Sequence, residues 1–195
     1  MRPRQFDETE VMRIAFDRFW RQGVGGTSLT DIAREAGVQR GSLYNAYGSK
    51  EALFLAAYER YRRKYLATLE QALASGTLRE RLDAFFDAVI ANFRAGSPPR
   101  GCPTTRGLME VGTAEGGLDE EAREAFASLL RGVAALVEAA LRDSAVRGEF
   151  AGDPARDAWH LVTVARGLVV LERAFGDEAQ LHGIARHAVD TVLRA

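Results

Sequence analysis

Apolar residues recur along the chain at three- and four-residue intervals, and two-residue alternation is almost absent, so the pattern predicts helices rather than a sheet. The first face is Val11, Ile14, Ala15, Phe16, Phe19 and Trp20. Asp7 with Glu10 three residues on resembles a capping box, and Gly23 to Gly26 ends the run. Ser28 opens a short second helix bearing Leu29, Ile32, Ala33 and Ala36, closed by Gly37. A third short face, Leu43, Tyr44 and Tyr47, stops at Gly48. Ser49 then caps a longer helix through Leu53, Phe54, Ala57, Tyr58, Tyr61 and Tyr65, ending near Ser75 and Gly76.

Five further helices follow. They are predicted at about 77–94, 104–112, 119–146, 154–174 and 177–194, with breaks at 96–103 and at Gly116-Gly117. Asp153 and Pro154 supply a cap and first-turn proline for the eighth. The fold class is therefore all-α, with about nine helices. A three-helix head at 1–50 and a body at 51–195 are joined by the fourth helix at about 49–75.

Composition narrows the class. With 195 residues, 47% hydrophobic and 27% charged, the chain is long and apolar enough to bury a core unaided. The single Cys102 cannot form an internal disulfide, and no apolar run approaches 18 residues. A signal peptide is also missing, so a cytoplasmic protein with no membrane partner is expected. The net charge of -1 conceals an asymmetry. Residues 1–65 carry twelve basic against eight acidic side chains, whereas 66–195 carry fourteen against nineteen. A basic head on an acidic body suits a polyanion-binding module joined to a second function.

The chemistry concentrates in the second and third helices. Two short helices joined by a glycine-containing turn form the helix-turn-helix pattern. The non-core positions of the second of them are Arg40, Gly41, Ser42, Asn45 and Ala46, and no acid occurs from 36 to 50. Small residues allow entry into a major groove, where Arg40, Ser42 and Asn45 can reach base edges. Gly41 would permit the close approach, since a mid-helix glycine otherwise costs about 1 kcal/mol. Lys50 lies in a first helical turn, where the helix dipole favours an acid, so a phosphate clamp is the better reading. Tyr44 would either touch the sugar-phosphate backbone or pack on the first helix.

These residues carry a resemblance. EVMRIAF at 10–16, TSLTDIAREAGV at 27–38, GSLY at 41–44 and SKEALF at 49–54 closely resemble the DNA-binding domain of the TetR/AcrR family of bacterial transcriptional regulators. The resemblance implies base reading by Arg40, Ser42, Tyr44 and Asn45, and phosphate contact by Thr27, Thr30, Gln39, Tyr47 and Lys50. It implies core anchors at Ala15, Phe19, Ile32, Ala33, Val38, Leu43 and Leu53. It further implies a divergent C-terminal effector-binding and dimerisation domain, and hence a homodimer on double-stranded DNA with a palindromic operator. A repressor released by a small-molecule effector fits best; an activator or a ligand-independent regulator stays open. The family usually places an aromatic residue after the first glycine of the loop at 23–26. Here it is Val24, followed by two glycines, which predicts a looser loop.

The effector pocket is expected from the fourth to eighth helices. Its candidates are Tyr61, Tyr65, Phe85, Phe86, Val89 and Phe93, with Leu108, Met109, Phe126, Leu130, Trp159 and Thr163. Their apolar and aromatic character points to a hydrophobic or aromatic effector. Leu161, Val164, Gly167, Leu168 and Leu171 of the eighth helix, with Ile184, Ala188 and Val192 of the ninth, resemble half of a two-fold four-helix interface. Cys102 is placed where a helix N-terminus would lower its pKa, but a quiet packed residue is the simpler reading. His160, His182 and His187 are scattered, so neither a metal nor another cofactor is expected. The chain is not expected to be an enzyme, because Cys102 with a distant histidine, or Glu110 with Glu115, has no spacing that catalysis demands. The glycines at 23–26 follow a helix rather than a strand, which rejects a dinucleotide-binding loop.

Overall fold

The computed structural model describes residues 6–113 and 118–194. Among them the chain forms α1 (Glu8–Gln22), α2 (Leu29–Glu35), α3 (Arg40–Tyr47), α4 (Lys50–Ala72), α5 (Leu78–Arg94), α6 (Pro103–Glu110), α7 (Glu120–Val146), α8 (Pro154–Phe175) and α9 (Glu178–Arg194). The fold is all-α, and the described residues contain nine helices, as the periodicity predicts. Val111 and Leu118 form an isolated parallel bridge. Glu115 and the break at Gly116-Gly117 lie outside the described residues.

Capping chemistry sets the boundaries. Asp7 accepts from the amides of Thr9 (2.8 Å) and Glu10 (3.2 Å) at the start of α1. The carboxylate of Glu10 does not complete a capping box; it pairs instead with the Arg13 guanidinium at 2.6 and 2.8 Å. A reciprocal box forms at α5, where Thr77 and Glu80 bond each other's backbone amides. Those bonds from Thr77 hold the Glu80 carboxyl below its usual range. α6 ends at Glu110, two residues earlier than expected, because Val111 enters the bridge to Leu118.

The chain divides into two compact units. The first comprises the chain to Arg63 together with Pro103 to Ala127. Its interior is aromatic: Phe16 stacks on Tyr61 (4.9 Å), and Phe19 meets Phe54 edge-on (5.3 Å). Tyr58, fully buried, packs edge-on against Phe126 at 4.9 Å, a contact worth about 0.5–1.5 kcal/mol beyond its buried area. The Tyr58 hydroxyl pairs with the buried Thr104 hydroxyl at 2.8 Å, so neither polar group is stranded. Gly107 is required on α6 because a Cβ there would lie 2.1 Å from the Phe126 ring.

The second unit comprises Lys64 to Cys102 and the chain from Ser128. α5, α8 and α9 pack against one another there. Leu82, Phe85, Phe86, Val89, Ile90 and Phe93 of α5 are all buried. Buried charges are paired, as their desolvation requires. Arg81 donates to the Leu73 carbonyl (2.7 Å) and to Asp143 (2.9 Å), and the buried Glu172 accepts from Arg94 (2.7 Å).

Gly107→Ala should therefore cost about 1–3 kcal/mol in urea unfolding, by overpacking against Phe126. Adding Phe126→Leu should recover part of that loss, because the two sites are coupled. A loss that the second substitution leaves unchanged would contradict this seating of α6.

Candidate nucleic-acid interface

α2 and α3 have only seven and eight residues, too few to be stable alone. Tertiary burial holds them: Ile32 and Ala33 of α2 and Leu43 of α3 are buried, and α2 packs on both α1 and α3. Ser28 accepts from the Asp31 amide at 3.1 Å and starts α2. Gly37, at φ +65°, ends it in a Schellman motif. The Val38 amide reaches the Ala33 carbonyl (2.9 Å), and the Gly37 amide reaches Arg34 (3.3 Å). Arg18 of α1 bonds Glu35 at the last position of α2 at 2.6 Å, a link between the two helices at the surface.

Leu43 points inward, and Arg40, Gly41, Tyr44 and Asn45 are exposed on one arc of α3. Tyr44 is 60% exposed, which removes the alternative of packing on α1. Ser42, Tyr47 and Lys50 are half-buried, while Thr30 and Gln39 are exposed. Among the described residues, the side chains of Arg40, Asn45 and Lys50 have no hydrogen-bond or ion-pair partner. A Cβ on Gly41 would meet nothing within 4 Å, so no internal contact demands glycine there. The outer face of α3 is thus polar, uncommitted and free of acids.

Thr27 is a correction. Its side chain is buried, and its hydroxyl donates to the Gly23 carbonyl at 2.7 Å, so it stabilises the α1–α2 corner from within. The expected looseness of that corner is corrected too. Val24 is 1% exposed, and its amide donates to the Glu110 carboxylate at 3.3 Å. Of the expected core anchors, only Val38 is half-buried rather than buried.

The expected effector set divides. Tyr65, Phe85, Phe86, Val89 and Phe93 are buried in the second unit and Leu130 is half-buried there. Burial pushes the Tyr65 phenol pKa up, against the pull of the nearby Arg166 guanidinium. Arg166 also donates to the buried Cys102 sulfur at 3.1 Å. Tyr61 and Phe126 belong instead to the aromatic core of the first unit, where stacking and the Gly107 contact account for them. Leu108 is half-buried in the same unit. Met109 (75%) and Trp159 (47%) are exposed, and the exposed Thr163 donates its hydroxyl back to the Trp159 carbonyl. These three turn away from the interior of their own units.

The expected interface set divides as well. Leu161, Leu168, Ala188 and Val192 are buried within the second unit, so they are core residues of one chain. Val164, Leu171 and Ile184 are half-buried, and Gly167 is exposed with open space above it. The outward apolar positions of α8 are Trp159, Val170 and Phe175; the last two were not anticipated. Their signal was hidden because α8 carries apolar residues nearly all round. The Arg106 and Glu110 contacts were also missed, since an i,i+4 pair on a short helix reads as an ordinary surface pair. Among the described residues, no group of three or more metal-ligating side chains occurs, and no helix is long and apolar enough to cross a membrane.

Comparisons with known proteins match both parts of the chain. Residues 12–57 match the family described as bacterial regulatory proteins, tetR family, and residues 79–188 match the tetracyclin repressor-like C-terminal domain. The chain is 31% identical over 142 residues to the HTH-type transcriptional repressor NemR of Escherichia coli (strain K12), covering 71% of this chain and 69% of NemR. It is 33% identical over 110 residues to the uncharacterized HTH-type transcriptional regulator YezE of Bacillus subtilis (strain 168), and that alignment covers 56% of this chain and 57% of YezE. The chain thus spans little more than half of the length of YezE. The crystal structure of reduced E. coli NemR superposes with a TM-score of 0.82 at 26% identity, covering 92% and 93% of the two chains. A cysteine mutant of the TetR family regulator CifR, solved with 26-base-pair double-strand operator DNA, superposes at 0.84 and 28% identity, covering 97% and 98%.

Thr27→Val should lower stability by about 1–2 kcal/mol, because the Gly23 carbonyl loses its buried donor. It should leave the salt dependence of any DNA affinity unchanged, whereas losing a phosphate contact lowers the slope by about one. Urea unfolding and a salt titration measure both quantities, and a lowered slope would restore Thr27 to the contact surface.

Proposed function

The chain belongs to the tetR family of bacterial regulatory proteins, and from that premise we propose that it is a homodimeric repressor that reads a palindromic operator and is released by a small effector. The observation that carries this reading is the outward face of α3. Arg40, Gly41, Tyr44 and Asn45 stand on a helix whose axis is fixed by the buried Leu43 and the Schellman turn. A bidentate Arg40 suits the acceptor pair of guanine, and Asn45 suits adenine. Ser42 and Tyr44 extend the base-facing strip, while Thr30, Gln39, Tyr47 and Lys50 flank it as phosphate contacts. The superposition on CifR, solved with operator DNA, and the similarity to NemR, a repressor by name, support the same reading.

One head contacts one half-site, and a two-fold pair presents two α3 helices one turn of duplex apart, about 34–36 Å. The surface proposed for that pairing is the outer side of α8 and α9: Trp159, Val164, Gly167, Val170, Leu171 and Ile184. An apolar strip on α8 with an open glycine at its middle suits close helix approach. The proposed effector site lies among Tyr65, Phe85, Phe86, Val89, Phe93 and Leu130, a lining that favours an apolar or aromatic molecule. Effector and operator would then compete through conformation, each lowering the affinity of the other by the same factor. The assignment makes the chain a binding protein and not an enzyme.

Arg40→Ala should relax sequence preference by about 1–3 kcal/mol at one base position, whereas Lys50→Ala should weaken all duplexes alike and lower the salt slope by about one. Matched and scrambled duplexes titrated across salt concentration would distinguish the two, and identical behaviour of both variants would remove the assignment. Val170→Glu should shift the protein towards monomer at micromolar concentration in sedimentation velocity, because a charge would replace an apolar contact at a two-fold seam. An unchanged dimer would exclude α8 as the seam.

A further inference from the structure

The α1–α2 corner leads into the reading helices and is held from within by the Thr27 hydroxyl on the Gly23 carbonyl, but it is rich in glycine. Gly23, Gly25 and Gly26 surround a single Val24, and glycine carries the greatest backbone freedom of any residue. The additional restraint comes from 86 residues downstream. Glu110 on α6 accepts from the Val24 amide at 3.3 Å, and its carboxylate lies so close to Gly23 that a Cβ there would overlap it. Arg106, one turn earlier, bonds Glu110 at 2.9 Å and donates to the Arg21 carbonyl at 2.7 Å and the Trp20 carbonyl at 3.4 Å. Those carbonyls belong to the last turn of α1, whose partial negative charge favours a guanidinium.

α6 is itself seated firmly. Gly107 lies under the Phe126 ring, and Thr104 bonds Tyr58. The corner leads directly to Ser28 and α2, and the Schellman turn ties α2 to α3. A displacement at Gly23–Val24 is therefore carried to the face bearing Arg40 and Asn45.

We propose that Glu110 and Arg106 are positioning residues for operator recognition: a polar clamp that fixes the α1–α2 corner and, through it, the seating of α3. The inference rests on the DNA-reading function proposed above. Sequence-specific contacts need α3 in one pose, whereas phosphate attraction tolerates several. Losing the clamp therefore lowers discrimination more than it lowers general DNA affinity.

The test begins with the duplex that the unaltered protein enriches from a random library, compared with a scrambled duplex of equal composition. Glu110→Ala should reduce the ratio of the two affinities by about tenfold, the size of one mismatched base pair. The scrambled-duplex affinity and its salt slope should stay unchanged. Glu110→Gln keeps an oxygen acceptor for the Val24 amide and should retain the ratio to within about threefold, the scale of a weak neutral hydrogen bond. Arg106→Ala, which leaves the Glu110 to Val24 contact in place, should fall between them and guards against a Glu110→Ala protein that does not fold. A merely structural role would lower the active fraction and scale both duplexes together. That outcome, or an unchanged ratio in Glu110→Ala and Arg106→Ala, would overturn the clamp. A random library from which the unaltered protein enriches nothing would instead overturn the DNA-reading function beneath it.

Discussion

Two helices of seven and eight residues cannot persist in water by their own hydrogen bonds. Everything else in the head follows from how that deficit is met. Ile32, Ala33 and Leu43 are buried in the first unit, and this burial decides which side of α3 remains outside. With Leu43 inside, Asn45 falls on the opposite side of the helix, and Arg40 and Tyr44 are exposed beside it. The aromatic interior behind α3 supplies the rigid support that a reading surface needs.

The compact unit that contains the head is not a continuous stretch of sequence. It takes in α6 and the first turns of α7, so α6 shares a core with the reading helices. This alters the electrostatic picture drawn from the sequence. Residues 1–65 carry a basic excess, but the full first unit has thirteen basic against fourteen acidic residues. The unit is therefore not a positive body. Exposed charges act over about a Debye length, ~8–10 Å in physiological salt, so the local acid-free run from 36 to 50 matters more than any total.

Much of this was legible because it rests on local chemistry. Ser28, Gly37, Gly48, Ser49, Asp153 and Pro154 mark helix ends by capping rules that involve only near neighbours in sequence. Leu43 as the inward position of α3 was legible too, whereas the side taken by Tyr44 was not and is settled by its exposure. Long-range partnerships were not legible. Glu10 and Glu80 both stand three residues after a capping side chain, yet only Glu80 closes the box, because Arg13 takes Glu10. Thr27 resembles a surface threonine until its hydroxyl is seen to donate to the Gly23 carbonyl.

α8 shows the same limit more sharply. Leu161, Val164, Leu168 and Leu171 share one helical stripe, and periodicity cannot tell an internal partner from a second chain. The structure buries Leu161 and Leu168 and leaves Val164 and Leu171 half-buried. The glycine at 107 likewise reads as a helix weakness, and only the Phe126 ring above it explains the choice.

Operator recognition requires that α3 be held to read a major groove and that two copies do so together. Hydroxyl-radical footprinting of the full chain on its selected duplex tests it most directly. Two protected patches, one helical turn apart on the same face and related by the symmetry of the sequence, are the predicted result. A single unpaired patch, or uniform weak protection that vanishes with added salt, would contradict it.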